Sequence, residues 1–138
     1  MHVSRSLCCA IVLRADLPPG LAANAAAVLA AGVSHARPEL IGPDVRDGSG
    51  DVHPGITTIP LPVLRADANG LGRLACAARQ AGVAFWGFTD LAQSCHCYDE
   101  YASRMASTPP SQLRYVGVSM VGDPAVVKSL TGQLGLYR

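Results

Sequence analysis

The sequence predicts an α/β fold: a single domain over residues 1–138 with a mixed β-sheet of four to five strands and helices on both faces. Three observations carry this. Leu7 to Leu13 is an unbroken apolar run of strand length. Leu17-Pro18-Pro19-Gly20 then stops any helix and turns the chain into an Ala-rich segment. Beyond it, apolar strands alternate with amphipathic helices to the end. Because the first strand is apolar throughout, both its faces need cover, so a mostly parallel sheet is expected.

The segment from Leu21 to about His35 is rich in Ala and Leu, strong helix formers, and Pro38 biases Arg37 away from helical angles. Its surface is apolar nearly all round, which predicts burial on more than one side. Asn24 is the exception, since a mid-helix Asn costs about 0.6 kcal/mol relative to Ala. It either bonds to nearby backbone or points into a cleft at the C-terminal end of the first strand, where ligands bind in open α/β sheets.

Residues 40–65 read as an extended arm at the sheet edge. Asp47-Gly48 with Gly50 marks a hairpin turn, and Ile56-Thr57-Thr58-Ile59 reads as a strand by its β-branched content. Pro60 and Pro62 confine the next stretch to an edge or a loop. Asp67 caps a helix whose face is Leu71, Leu74, Ala75 and Ala78, with Gly82 as its C-terminal cap. Val83 to Phe88 is the next buried strand, carrying Trp86. Tyr98, Tyr101, Ala102 and Met105 mark a further helix, with Asp99 and Glu100 favoured in its first turn and Pro109-Pro110 beyond its end. Leu113 to Val121 is the last strand, and Asp123-Pro124 opens a final helix closed by Gly132.

At 49% apolar and 15% charged residues, the chain can bury a sizeable core. A net charge of +1, 5% aromatics and no basic run argue against a dedicated nucleic-acid binder. They leave room for a modest phosphate-contacting site. No stretch reaches the ~18 apolar residues of a membrane span. Arg14 and Asp16 stand where a signal-peptide cleavage site would fall, so no signal peptide is expected. The five cysteines form no disulfide framework, which fits the reducing cytoplasm.

Motifs at both ends carry a resemblance. Val12 to Leu17, the turn to Gly20 and the Ala-rich helix resemble the start of the type II peptidyl-tRNA hydrolases. Gly122-Asp123-Pro124 and the tail Thr131-Gly132-Gln133-Leu134-Gly135-Leu136 are similar to their C-terminal helix and tail. The chain resembles still more closely a bacterial family of unknown function assigned to that fold, through Asp16 to Asn24, His53 to Ile56 and Phe88 to Ser94. The resemblance implies a peptidyl-tRNA hydrolase II-like fold and a homodimer. In the hydrolases the first helix begins Gly-Lys and presents Gln and His. Here Leu21 follows Gly20, no Lys or His occupies the first two turns, and Asn24 lies near the Gln position. Asp90 matches the hydrolase Asp, and Ser94 stands in for its Thr. The cationic half of that site, a natural partner for a phosphate or an oxyanion, is absent.

The candidate catalytic residues are therefore Asp90, as general base or water-orienter, and Ser94, as hydroxyl donor. The competing reading of Asp90-Leu-Ala-Gln93 is a capping box. Gly20, Asn24 and His53 are the candidate substrate-binding residues, with His53 leaning over the cleft or only bonding within its turn. Cys95-His96-Cys97 is one Cys-x-Cys without a second pair, so no metal or cofactor is expected. Two function classes remain: a hydrolase of an ester or amide, or a non-catalytic dimeric protein that keeps the cleft to bind a small ligand or a partner.

Overall fold

Alternation along the first strand builds two cores. The computed structural model describes residues 7–138, so Arg5, just ahead of the apolar run, lies outside the described residues. Element order is β1 (Cys8–Arg14), α1 (Pro19–Ala36), β2 (Val45–Arg46), β3 (Val52–His53), β4 (Val63–Ala66), α2 (Ala68–Ala81), β5 (Ala84–Thr89), α3 (Asp90–Ser94), α4 (Tyr98–Ala106), β6 (Tyr115–Gly122) and α5 (Pro124–Thr131). Cys9, Ile11 and Leu13 of β1 pack with Ala22, Ala25, Leu29 and Val33 of α1. Ala10 and Val12 pack on the other face with Leu71, Leu74 and Ala78 of α2 and Val127 of α5. Fully burying each of the larger side chains contributes about 1.5–3 kcal/mol. The single domain is thus a mixed α/β layer structure with helices on both faces.

The sheet has four strands in the order β4-β1-β6-β5. Only β1–β4 is parallel; β1–β6 and β5–β6 are antiparallel, so the expected mostly parallel sheet is corrected. Helix α1 crosses over to the parallel β4, whereas β6 enters between β1 and β5 in the opposite sense. The strand expected at Ile56–Ile59 does not form. Thr57 makes only an isolated bridge to Ile41, Ile59 is buried in the α1-side core, and the sheet strand is β4, just past the two prolines. The outer edge of β4 is covered by the C-terminal tail. There Arg65 N donates to Gly135 O at 3.0 Å and Tyr137 N to Val63 O at 2.8 Å. Covering an edge in this way removes a template for strand addition.

Two further expectations change. Helix α1 buries one stripe, and Leu21 and Val28 on its outer side are 43% and 42% exposed. Strand β5 is an edge strand, half-buried, and β6 takes the interior position. The caps hold as read: Asp67 accepts from Gly70 N at 2.7 Å, Asp123 from Ala125 N at 2.8 Å, and Gly82 ends α2 with φ +71°. Asp47 to Gly50 turns the β2–β3 hairpin, and its two-residue strands pair only with each other.

Candidate functional site

Strands β1, β4 and β5 run in one direction and β6 against them. Their C-terminal ends, and the start of β6, therefore meet at one end of the sheet. The chain leaves it there through Arg14 to Asp16, Asp67, Asp90 and Arg114. A register shift between Phe88 and Thr89 lies at the same end, and Asp90 N donates to Arg114 O at 3.0 Å. Two hollows open here, one on each side of the sheet.

The hollow on the α2 side is a cleft of about 910 Å³. Four arginines reach it, Arg14, Arg73, Arg79 and Arg114, against one carboxylate, Asp16. Arg14 Nε donates to Asp16 Oδ1 at 2.6 Å, and that hydrogen bond holds the exposed Asp16 carboxyl below the usual carboxylate range. Arg79 lies over the Phe85 ring, 5.3 Å from its centroid. Arg73 and Arg114 have no carboxylate partner among the described residues. Asn69, Gln80 and Ser111 add neutral polar groups to the walls. Planar guanidinium forks suit carboxylate and phosphate oxygens, and several of them in one cleft favour an anion.

The hollow on the α1 side, about 360 Å³, lies between Val28 of α1 and the α3–α4 segment. Its walls are Phe88, Cys95, His96, Cys97, Tyr98 and Tyr101. The two tyrosine rings meet edge to face, 5.4 Å apart. Beside it, Arg104 Nη1 donates to Ser94 Oγ at 3.3 Å and to Cys95 Sγ at 3.6 Å. Among the described residues no group of three His, Cys, Asp or Glu side chains is placed to hold a metal ion.

Cys95, His96 and Cys97 line the α1-side hollow, whereas the candidate catalytic and substrate-binding residues line neither. Asp90 is exposed at the first position of α3, and no hydrogen bond or ion pair engages its carboxylate among the described residues. It is not a capping-box residue. Thr89 is the cap, its Oγ1 accepting from Ala92 N at 3.2 Å, and Gln93 Nε2 finds no partner among the described residues. Ser94 Oγ donates to Leu91 O at 2.9 Å, within its own turn. Asn24 is exposed on α1 one turn before Val28, and the space above Gly20 is open. His53 stays in the hairpin, with Nε2 2.8 Å from Asp47 Oδ2. Buried Cys9 is inert: burial first, then the neighbouring Cys8, pushes its thiol up to about 11.

Sequence reasoning missed the arginines, because they are scattered from position 14 to 114 and form no run. A cue was present. Ten of the eleven basic residues are arginine, and α2 places Arg73 beside Gly72 inside a helix.

The family model described as "Protein of unknown function (DUF2000)" matches residues 8–138. The chain belongs to this family. Among curated proteins none matches it. Among solved structures this DUF2000 protein is similar to Atu0240, a protein of unknown function from Agrobacterium tumefaciens str. C58, at 21% identity and a TM-score of 0.89. That likeness covers 96% of this chain and 98% of the other, and shows the fold alone. No helix among the described residues is long and apolar enough to cross a membrane.

Proposed function

We propose that this DUF2000 protein is a non-catalytic binder of a small anionic ligand, held in the arginine-lined cleft. The observation that carries the reading is the imbalance of four guanidinium groups over one carboxylate, itself already paired with Arg14. A free carboxylate or phosphate offers Arg73 and Arg114 the partner that the fold does not. The cleft's volume falls within the roughly 300–1,000 Å³ of small-molecule sites. Its place at the C-terminal ends of parallel β1 and β4 is where α/β sheets commonly bind ligands. The fold in this reading is peptidyl-tRNA hydrolase II-like, supported by the motifs at the two ends of the chain. Pairing of two copies through α1 is supported by its exposed Leu21 and Val28.

The test is calorimetric titration with inorganic phosphate and citrate at low salt. Hydrogen bonds to a charged group contribute about 1.5–3 kcal/mol, so Arg73→Ala and Arg114→Ala should each weaken binding by roughly tenfold or more. Binding that is indifferent to both substitutions, or no anion bound at all, would overturn the reading.

A second reading keeps hydrolysis. It is favoured by one observation: Arg104 beside Ser94 supplies a cation near the residue that stands in for the hydrolase Thr. In it Asp90 orients the water and Ser94, Asn24 and Gly20 hold an ester or amide. His53, bonded to Asp47 in the hairpin, is its further candidate for substrate binding. Turnover of a peptidyl-tRNA mimic, lost in Asp90→Asn, is the expected outcome. Equal rates for the two proteins would remove Asp90 from any role in that chemistry.

A further inference from the structure

Helix α2 contains two interior glycines, Gly70 and Gly72. Glycine is the poorest helix former after proline, so each asks for a reason. Gly70 has one. A Cβ there would stand 3.0 Å from the capping Asp67 Oδ1 and 3.4 Å from Ala66 Cβ, and its own N–H donates to that carboxylate. Gly72 has none inside the protein. Among the described residues nothing lies within 4 Å of where its Cβ would be, and its φ is not among the positive ones. Neither packing nor backbone angle calls for glycine at this position.

Gly72 does lie on the wall of the arginine cleft, next to Arg73. The absent side chain leaves open the volume that any other residue would fill. Asn69 and Ser111, both neutral and polar, line the same space, and Tyr115 is the one aromatic residue on its walls among the described residues. We propose that Gly72 is the specificity-determining position of the cleft, seating the hydroxyl-rich body of a small organic anion directly on the α2 backbone while the arginines hold its phosphate or carboxylate head. This rests on the anion-binding reading and adds to it the shape and chemistry of the ligand's body. Asn69, Gln80 and Ser111 offer hydrogen bonds to hydroxyls beside the apolar Ala68, Ala77, Pro110 and Leu113, and a single ring gives little stacking surface, so a hydroxylated body fits better than a flat aromatic one.

The experiment titrates the intact protein, Gly72→Ala and Gly72→Leu with three probes: inorganic phosphate, glucose 6-phosphate and gluconate. Melting temperature is recorded for each protein. Gly72→Ala should raise the melting temperature, because the substitution favours helix and meets no neighbour. At the same time it should weaken the better of the two organic probes by about tenfold, and Gly72→Leu should abolish that binding. Inorganic phosphate, having no body, should bind all three proteins alike. Which organic probe binds wild type more tightly identifies the head group as phosphate or carboxylate.

Organic probes that bind the two variants as tightly as wild type would overturn the proposal. So would wild type that binds inorganic phosphate but neither organic probe; in both cases the anion-binding reading stands if Arg73→Ala still weakens phosphate. Wild type that binds none of the three overturns the proposal and the reading beneath it together. A Gly72→Ala protein that melts lower than wild type would show that the glycine serves the fold, and that outcome also overturns the proposal.

Discussion

The hollows on the two sides of the sheet share one end of the fold and differ most in charge. The α2-side cleft sets four arginines among neutral polar and small apolar groups; the α1-side hollow is walled mainly by aromatic rings and thiols and has no arginine among its described lining residues. Arg104, the cation beside the second hollow, is already bonded to Ser94 and Cys95, whereas Arg73 and Arg114 have no carboxylate partner among the described residues. The contrast teaches that counting charged side chains near a cavity says less than asking which of them the fold has left unsatisfied. Unsatisfied forks at a concave surface are what an anion can use.

The sharpest break of this contrast compares arginines on the two sides. Arg114→Ala should cost anion affinity roughly tenfold or more, while Arg104→Ala should leave it within about twofold. Titration of both variants with inorganic phosphate measures the difference. Equal losses would mean that the anion senses only the summed field of the protein, and the distinction between the two hollows would disappear.

Next in size is Gly87→Ala. Gly87 sits on edge strand β5, and a Cβ there would come within 2.5 Å of the Tyr115 ring, which forms part of the arginine cleft. Overpacking of this kind costs about 1–3 kcal/mol. The variant should melt at a lower temperature, and its displaced Tyr115 should alter phosphate affinity. Gly87 also lies on the wall of the α1-side hollow, but the atoms nearest its added Cβ all belong to Tyr115, so the rate of Cys95 alkylation, mapped by peptide mass, should be unchanged. If Cys95 reacts faster while phosphate binding is unaltered, Tyr115 is not the wall it is taken to be.

The architecture was legible because it rests on local rules. The apolar run of β1, the Asp67, Asp123 and Gly82 caps and the 71/74/75/78 stripe each report on neighbours within a few residues. Long-range pairing was not legible. Periodicity cannot tell which strand of a sheet lies inside, so the residues suggest a buried, central β5 where β6 occupies that place. Nor does it tell that the Ile56 segment loses its strand to β4. The site obeys the same division. Asp90 and Ser94 lie at the end of the sheet where sites occur, with Ser94 beside the α1-side hollow whose Val28 is one turn beyond Asn24, while His53 is out on the hairpin. Arg14, Arg73 and Arg114 converge only once β1, α2 and β6 have packed, and no spacing in the sequence encodes that.

The smallest effect lies in acid and concerns Asp16, the carboxylate of the arginine cleft. Asp16 is held below its usual 3.8, first by the hydrogen bond from Arg14. Asp47 in the hairpin is likewise held low, first by His53 and then by the Ser49 and Asp51 amides. A carboxylate with a depressed folded-state value lends stability that is fully present above its unfolded value and is lost as pH falls through the folded one. Both contributions should therefore fade as pH falls below 3.8 and hold steady at neutral pH. Both groups are exposed, so the change in stability is slight. Phosphate affinity gives the more telling readout. Asp16→Asn at neutral pH removes the opposing charge and frees Arg14 for the cleft, so it should bind phosphate more tightly than wild type. Asp47→Asn, in the hairpin, should bind it as wild type does. Titration of the two variants side by side separates a local effect of the cleft from a gain in overall charge, because each removes one negative charge and only one of them does so beside the arginines.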